Sequence, residues 1–164
     1  MNKISPLVKG LITAALMIIV ASVLYYSGAS PESGLQYTGY FIYAAGIMWS
    51  LFDYARSENY TGKFGDIFLQ GFRCFVVVTL VMVLYMGVFS KLHPEMAKEY
   101  GKLYKEEMLK TQKDRNATEI DAIAKKAEDG YTTALVYTSV FSYLLVGAVF
   151  TLAGSGLLLI RKKQ

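Results

Sequence analysis

The chain has 164 residues, of which 54% are hydrophobic and 18% charged, with a mean hydropathy of +0.33. A single water-soluble core of this length could not hide so much apolar surface, and the same apolar content excludes a disordered chain. Net charge is +4, but the charges form one mixed-sign block and a few basic marks between apolar runs, not the basic, aromatic-interleaved face of a nucleic-acid binder. Cys74 is the only cysteine and His93 the only histidine, which removes intrachain disulfides, cysteine metal clusters and most metalloenzyme or thiol-enzyme chemistry.

The first uncharged run extends from Gly10 to Pro31, preceded by Lys3 and Lys9 and closed by Glu32. A helix of that length crosses a hydrocarbon core of about 30 Å. Ser27-Gly28-Ala29 resembles a signal-peptide cleavage site, but the apolar part exceeds a usual h-region of about 7–15 residues, so a retained transmembrane helix is expected. A second uncharged run, Ser33 to Phe52, opens after Pro31 and closes at Asp53. Tyr37, Tyr40 and Tyr43 near one end and Trp49 near the other suit the two headgroup layers. The third is shorter: Cys74 to Ser90 is free of charge, so the helix is expected to start near Ile67 and carry Arg73 in its first turns. The fourth runs from Gly130 to Ile160, ends in Arg161-Lys162-Lys163, and is longer than a bilayer requires.

Between the third and fourth runs, Lys91 to Asp129 holds nine Lys/Arg and nine Asp/Glu. Pro94 suits a first helical turn, and Met96, Tyr100, Leu103, Tyr104 and Met108 follow at helical spacing. A break at Asp114-Arg115-Asn116 precedes a second arm with Ile120, Ile123, Ala124 and Ala127, capped by Asn116 with Glu119 or Thr118 with Asp121. The predicted fold is an all-α membrane protein of one domain, residues 1–164. It has four transmembrane helices at about 8–29, 35–53, 67–91 and 131–160, with an extramembrane helical hairpin, 92–130, between the third and fourth and continuous with both.

Four spans put both termini on one side, together with Lys3, Lys9, Arg56, Lys63, Arg73 and the terminal Arg161-Lys162-Lys163. The insert carries as many acids as bases, and bases flanking membrane ends are given the greater weight, so the termini are expected in the cytoplasm and the hairpin outside.

Three groups of residues stand out. Asp53, Arg56, Lys63, Asp66, Gln70 and Arg73 gather at the end of the second span and the start of the third. Asp53 and Arg73 fall at one level and could pair. Ionisable groups there either hold an anionic headgroup or coupling ion, or snorkel to the interface and set helix depth. Phe64, Phe68 and Phe72 lie on one stripe beside Gly65 and Gly71, fitting an interfacial helix or a lipid- or partner-binding lip. Gly147, Thr151, Gly154 and Ser155 form a small-residue seam in the fourth span, suited to packing within the bundle or to a homodimer. No catalytic constellation is present. His93, beside Pro94, reads as a cap or surface residue, and neither a phosphate-cradling loop nor a metal or cofactor set is found.

An Asp-Tyr-x-Arg element (Asp53 to Arg56) is followed by Tyr60-Thr61-Gly62-Lys63-Phe64-Gly65, Phe68 and Gly71-Phe72, then His93-Pro94-Glu95-Met96 and Asn116-Ala117-Thr118-Glu119-Ile120-Asp121. In this arrangement the chain resembles the bacterial membrane-protein family catalogued as domain of unknown function 4199, over nearly its whole length. That resemblance implies four transmembrane helices in the inner membrane of Gram-negative bacteria and no assigned chemistry.

The functional expectation is a non-enzymatic, cofactor-free inner-membrane subunit or accessory protein whose hairpin contacts another envelope protein. Its partners would be membrane lipids and a protein or a second copy of the chain, not nucleic acid. The alternative is a lipid-headgroup-binding accessory factor for a membrane glycosyltransferase or lipid-carrier enzyme, with phosphate held near Arg56, Lys63 and Arg73. A small transporter fits less well, because so few ionisable groups lie at mid-membrane.

Overall fold

The structure, a computed structural model, describes residues 4–28, 34–35, 37–111 and 116–162. The described residues form α1 (Pro6–Tyr26), α2 (Tyr37–Ala55), α3 (Phe64–Leu92), α4 (Pro94–Thr111) and α5 (Ala117–Lys162), an all-α chain. Lys3, Pro31, Asp114-Arg115 and Lys163, used above to place spans and breaks, lie outside the described residues.

The helix ends follow local chemistry. Ser5 caps α1 by accepting a hydrogen bond from the Val8 N–H at 3.3 Å, with Pro6 in the first turn, where a missing N–H costs nothing. Thr61 fixes the loop that enters α3, accepting from the Lys63 N–H at 3.2 Å and donating to the Asp66 carboxylate in the first turn. Asn116 caps α5 through the Thr118 N–H, 3.3 Å. The expected continuity of the hairpin with the third span is corrected: α3 stops at Leu92 and α4 starts at Pro94, because proline restricts the residue before it and lacks the N–H needed to carry the helix on. On the other side continuity holds, since α5 is one helix of 46 residues.

Among the described residues three helices are long and apolar enough to cross a membrane: Pro6–Tyr26, Phe64–Leu92 and Ala117–Ile160. These are the helices of a membrane protein. The predicted second span is present as α2, a 19-residue helix, but it is not among the three. Tyr37, Tyr40, Tyr43, Trp49 and Tyr54 replace the aliphatic residues that dominate the other helices.

The chain divides into two compact units, one made of Met1–Met82 with Val140–Gln164 and the other of Val83–Ser139. In the first, α1, α2, the start of α3 and the end of α5 pack around small residues. A Cβ on Gly10 would lie 2.8 Å from the Cys74 carbonyl oxygen, and one on Gly46 would collide with the Thr13 side chain. Close helix approach of this kind replaces the hydrophobic driving force that lipid does not supply. Tyr43 lies at the centre, fully buried. Its hydroxyl donates to the Tyr143 carbonyl oxygen at 2.9 Å, and its ring meets the Tyr143 ring edge-on at 5.7 Å.

In the second unit α4 packs antiparallel to the first turns of α5. Gly101, Met108, Ile120 and Ala124 are the buried stripe, and Gly101 would place a Cβ 3.0 Å from the Glu128 Cβ. Lys105 of α4 pairs with Asp121 of α5, and the Tyr100 and Tyr131 rings lie 5.3 Å apart. α4 and the first turns of α5 thus pack together on a narrow apolar seam.

Candidate functional site

The most developed polar site lies in the first unit and begins with a lysine. Along α1 the buried residues are Lys9, Gly10, Thr13, Ala14 and Met17, one stripe of a helix with 3.6 residues per turn. Lys9 belongs to that stripe, so its side chain turns inward with only 3% exposure. Thr13 Oγ1 donates to the Lys9 carbonyl at 2.8 Å and steadies this turn. The ammonium donates to Asp53 Oδ2 of α2 and lies 5.6 Å from the Trp49 ring centroid. Trp49 and Asp53 are four residues apart on α2, so both sides of the cation are supplied by one helix face.

Beside this ion pair opens a cavity of about 260 Å³, lined among others by Ser5, Ser50, Asp53, Ser57, Asn59 and Gln70. Asp53 is 35% exposed. Ser50 Oγ donates to the Gln70 carbonyl at 3.3 Å, and Tyr54 Oη to the Asn59 carbonyl at 3.2 Å. The Ser57 hydroxyl is shielded from solvent and has no hydrogen-bond partner among the described residues.

Of the six residues predicted to cluster here, the structure brings Asp53 and Gln70 to the cavity, and the other four do not line it. Asp66 accepts from Thr61 in the first turn of α3. Arg56, Lys63 and Arg73 are exposed. The expected Asp53–Arg73 pairing is corrected, because Asp53 is held by Lys9 and Arg73 points outward from α3. Sequence reasoning missed Lys9 by taking it as a basic flank of the first span. The signal was its register: Gly10, Thr13, Ala14 and Met17 mark the packed side of α1, and Lys9 lies on it.

Gly147, Thr151, Gly154 and Ser155 are all buried. A Cβ on Gly147 would lie 2.7 Å from Phe75, and one on Gly154 2.6 Å from Leu51. These residues face α2 and α3 of their own bundle. Phe64, Phe68 and Phe72 stack along α3 at 6.0 and 6.1 Å, with Phe64 and Phe72 each 42% exposed. Among the described residues no three His, Cys, Asp or Glu side chains come together as a metal site. Cys74 is buried, its thiol 3.7 Å from the Gly46 carbonyl.

An all-α architecture with three membrane-length apolar helices and a charged helical pair defines the class, a polytopic helical membrane protein. The chain belongs to the family described as Protein of unknown function (DUF4199), which matches residues 9–159. No curated protein and no solved structure matches the chain.

Proposed function

We infer that the protein is a non-enzymatic subunit of the bacterial inner membrane with four crossings, α2 being the least apolar. Its termini lie in the cytoplasm, and its α4–α5 hairpin docks another envelope protein outside. One observation carries the docking: the side of α4 turned away from α5 holds more acids than bases. Lys98, Lys102 and Lys105 line the groove beside Asp121 and Glu128 of α5. Glu99, Glu106 and Glu107 are exposed, and helical spacing sets them, with Lys110, on the side of Leu103, which is 59% exposed, while Glu95 shares the lysine side. That side of α4 thus carries a net acidic surface with an apolar centre, a pattern suited to a partner with a basic docking surface.

Photo-crosslinking in living cells from a reactive group at Leu103 tests this. A discrete adduct is expected, lost when Glu99 and Glu106 are both changed to Lys. The absence of an adduct, or one indifferent to the charge reversal, would remove the docking reading. In the lipid-headgroup alternative, Arg56, Lys63 and Arg73 are exposed and none of them lines the cavity beside Lys9, which gives headgroup chemistry a second footing.

A further inference from the structure

The cavity beside Lys9 and Asp53 has a polarity of its own. Ser5 and Pro6 bring the N-terminus of α1 to its wall, and Asp53 and Tyr54 bring the C-terminus of α2. Backbone dipoles make the first end partly positive and the second partly negative. The side chains repeat that order. Lys9 is sunk in the wall and committed to Asp53 and the Trp49 face. Asp53 is half-exposed, and Lys9 engages its Oδ2, leaving Oδ1 for a further donor. Lys9 and Asp53 cancel, and the remaining lining residues are uncharged. Net anionic and net cationic ligands therefore meet no compensating charge, whereas a small group carrying both signs meets both ends.

Hydrogen-bonding capacity is also available. Ser57 Oγ lies shielded in the wall without a partner, and the Gln70 side-chain amide lines the same space. A buried hydroxyl left unmatched costs roughly 1–3 kcal/mol, so a ligand that engages it is favoured. At about 260 Å³ the cavity is smaller than a typical small-molecule site, which starts near 300 Å³; it takes a headgroup and not a whole lipid. Ile4, 44% exposed, lines its rim and gives an acyl chain an apolar contact where it leaves the cavity.

We propose that this cavity binds the headgroup of a zwitterionic phospholipid bearing a primary amine. The ammonium donates to Asp53 at the C-terminal end of α2. The phosphate sits toward the first turn of α1 and accepts from the Gln70 amide and, once rotation about χ1 turns its hydroxyl into the cavity, from Ser57. A primary ammonium keeps N–H donors for the carboxylate and a trimethylammonium has none, so the site discriminates between two zwitterions of equal charge.

Native mass spectrometry of the full-length protein in detergent, titrated with phosphatidylethanolamine, phosphatidylcholine and phosphatidylglycerol, tests the assignment. Phosphatidylethanolamine is expected to be retained about tenfold better than either competitor, the worth of one charge-assisted hydrogen bond. Ser57→Leu fills the cavity while leaving the ion pair in place, and the K9M/D53L double variant replaces the pair with apolar side chains of similar bulk. Each should reduce phosphatidylethanolamine to the level of the other lipids, with the thermal transition showing which variants remain folded. Equal retention of the three lipids by the unaltered protein would overturn the proposal, as would undiminished preference in a folded Ser57→Leu variant. Displacement by soluble glycerophosphoethanolamine at matched concentration would assign the site to a free zwitterion and overturn the lipid reading. None of these outcomes depends on hairpin docking, so the two ideas stand or fall separately.

Discussion

Lys9 and Asp53 share one ion pair but not one environment: the lysine is 3% exposed and the aspartate 35%. Removing either partner therefore leaves behind a very different orphan. Asp53→Ala strands a buried ammonium and is expected to cost about 3 kcal/mol. Lys9→Met leaves a carboxylate that water reaches, and is expected to cost about 1 kcal/mol. Thermal or denaturant unfolding in detergent measures both, and equal losses would contradict the asymmetry.

Gly46 fills the crossing of α1 and α2, where a Cβ would run into Thr13, whereas Gly65 has open space around it. Gly46→Ala should destabilise the bundle by about 2 kcal/mol through overpacking, with partial rescue by Thr13→Ala. Gly65→Ala should raise stability by about 0.5 kcal/mol through lost unfolded-state freedom. The same unfolding measurement separates the two glycines by the sign of the change.

Thr151 and Ser155 are fully buried, and their hydroxyls have no partner among the described residues. Thr151→Val keeps the shape beside Gly71 and removes an unmatched polar atom. A gain of about 1 kcal/mol is expected, and a loss would reveal an acceptor for the hydroxyl.

Lys105 and Asp121 clasp the two arms of the hairpin with side chains 44% and 56% exposed. Lys105→Glu should weaken hydrogen-exchange protection across residues 94–111 by no more than about 1 kcal/mol. Adding Asp121→Lys should restore it, and high salt should erase the difference. Protection unaffected by the first change would show that the apolar seam alone holds the arms.

Topology is open to labelling, because the native Cys74 is buried and leaves the background quiet. Single cysteines at Leu35, Glu58 and Lys102 test α2 and α3 with a membrane-impermeant maleimide. Leu35→Cys and Lys102→Cys should react on intact spheroplasts, and Glu58→Cys only after permeabilisation. Leu35→Cys behaving like Glu58→Cys would mean that α2 does not cross.

Helix positions were legible because runs such as Gly10 to Pro31 combine length with an absence of charge, and the hairpin because Pro94, Asn116 and the Met108–Ile120–Ala124 pattern are local signals. The seam at Gly147 and Thr151 was equally plain from its four-residue steps. Arg73 and Lys9 were harder. The shared level of Asp53 and Arg73 at the ends of two spans suggested a pair, yet a helix offers its neighbours one face at a time, and Arg73 is on the wrong one. Lys9 is 44 residues from Asp53, and only the docking of α1 on α2 brings them together. Long-range pairing of that kind is set by which stripe packs, and composition does not encode it.

Tyr43 shows why α2 falls behind its neighbours on an apolarity scale. A scale charges the phenol for leaving water, although here it donates to the backbone of α5 and its ring is enclosed. If α2 resides in the bilayer, it does so as a guest of its neighbours. The helix that supplies the acceptor for Tyr43 is made roughly a hundred residues later in synthesis. Insertion of α2 would then be completed only after α5 has been made, and truncations lacking α5 would leave this one segment stranded at the membrane surface.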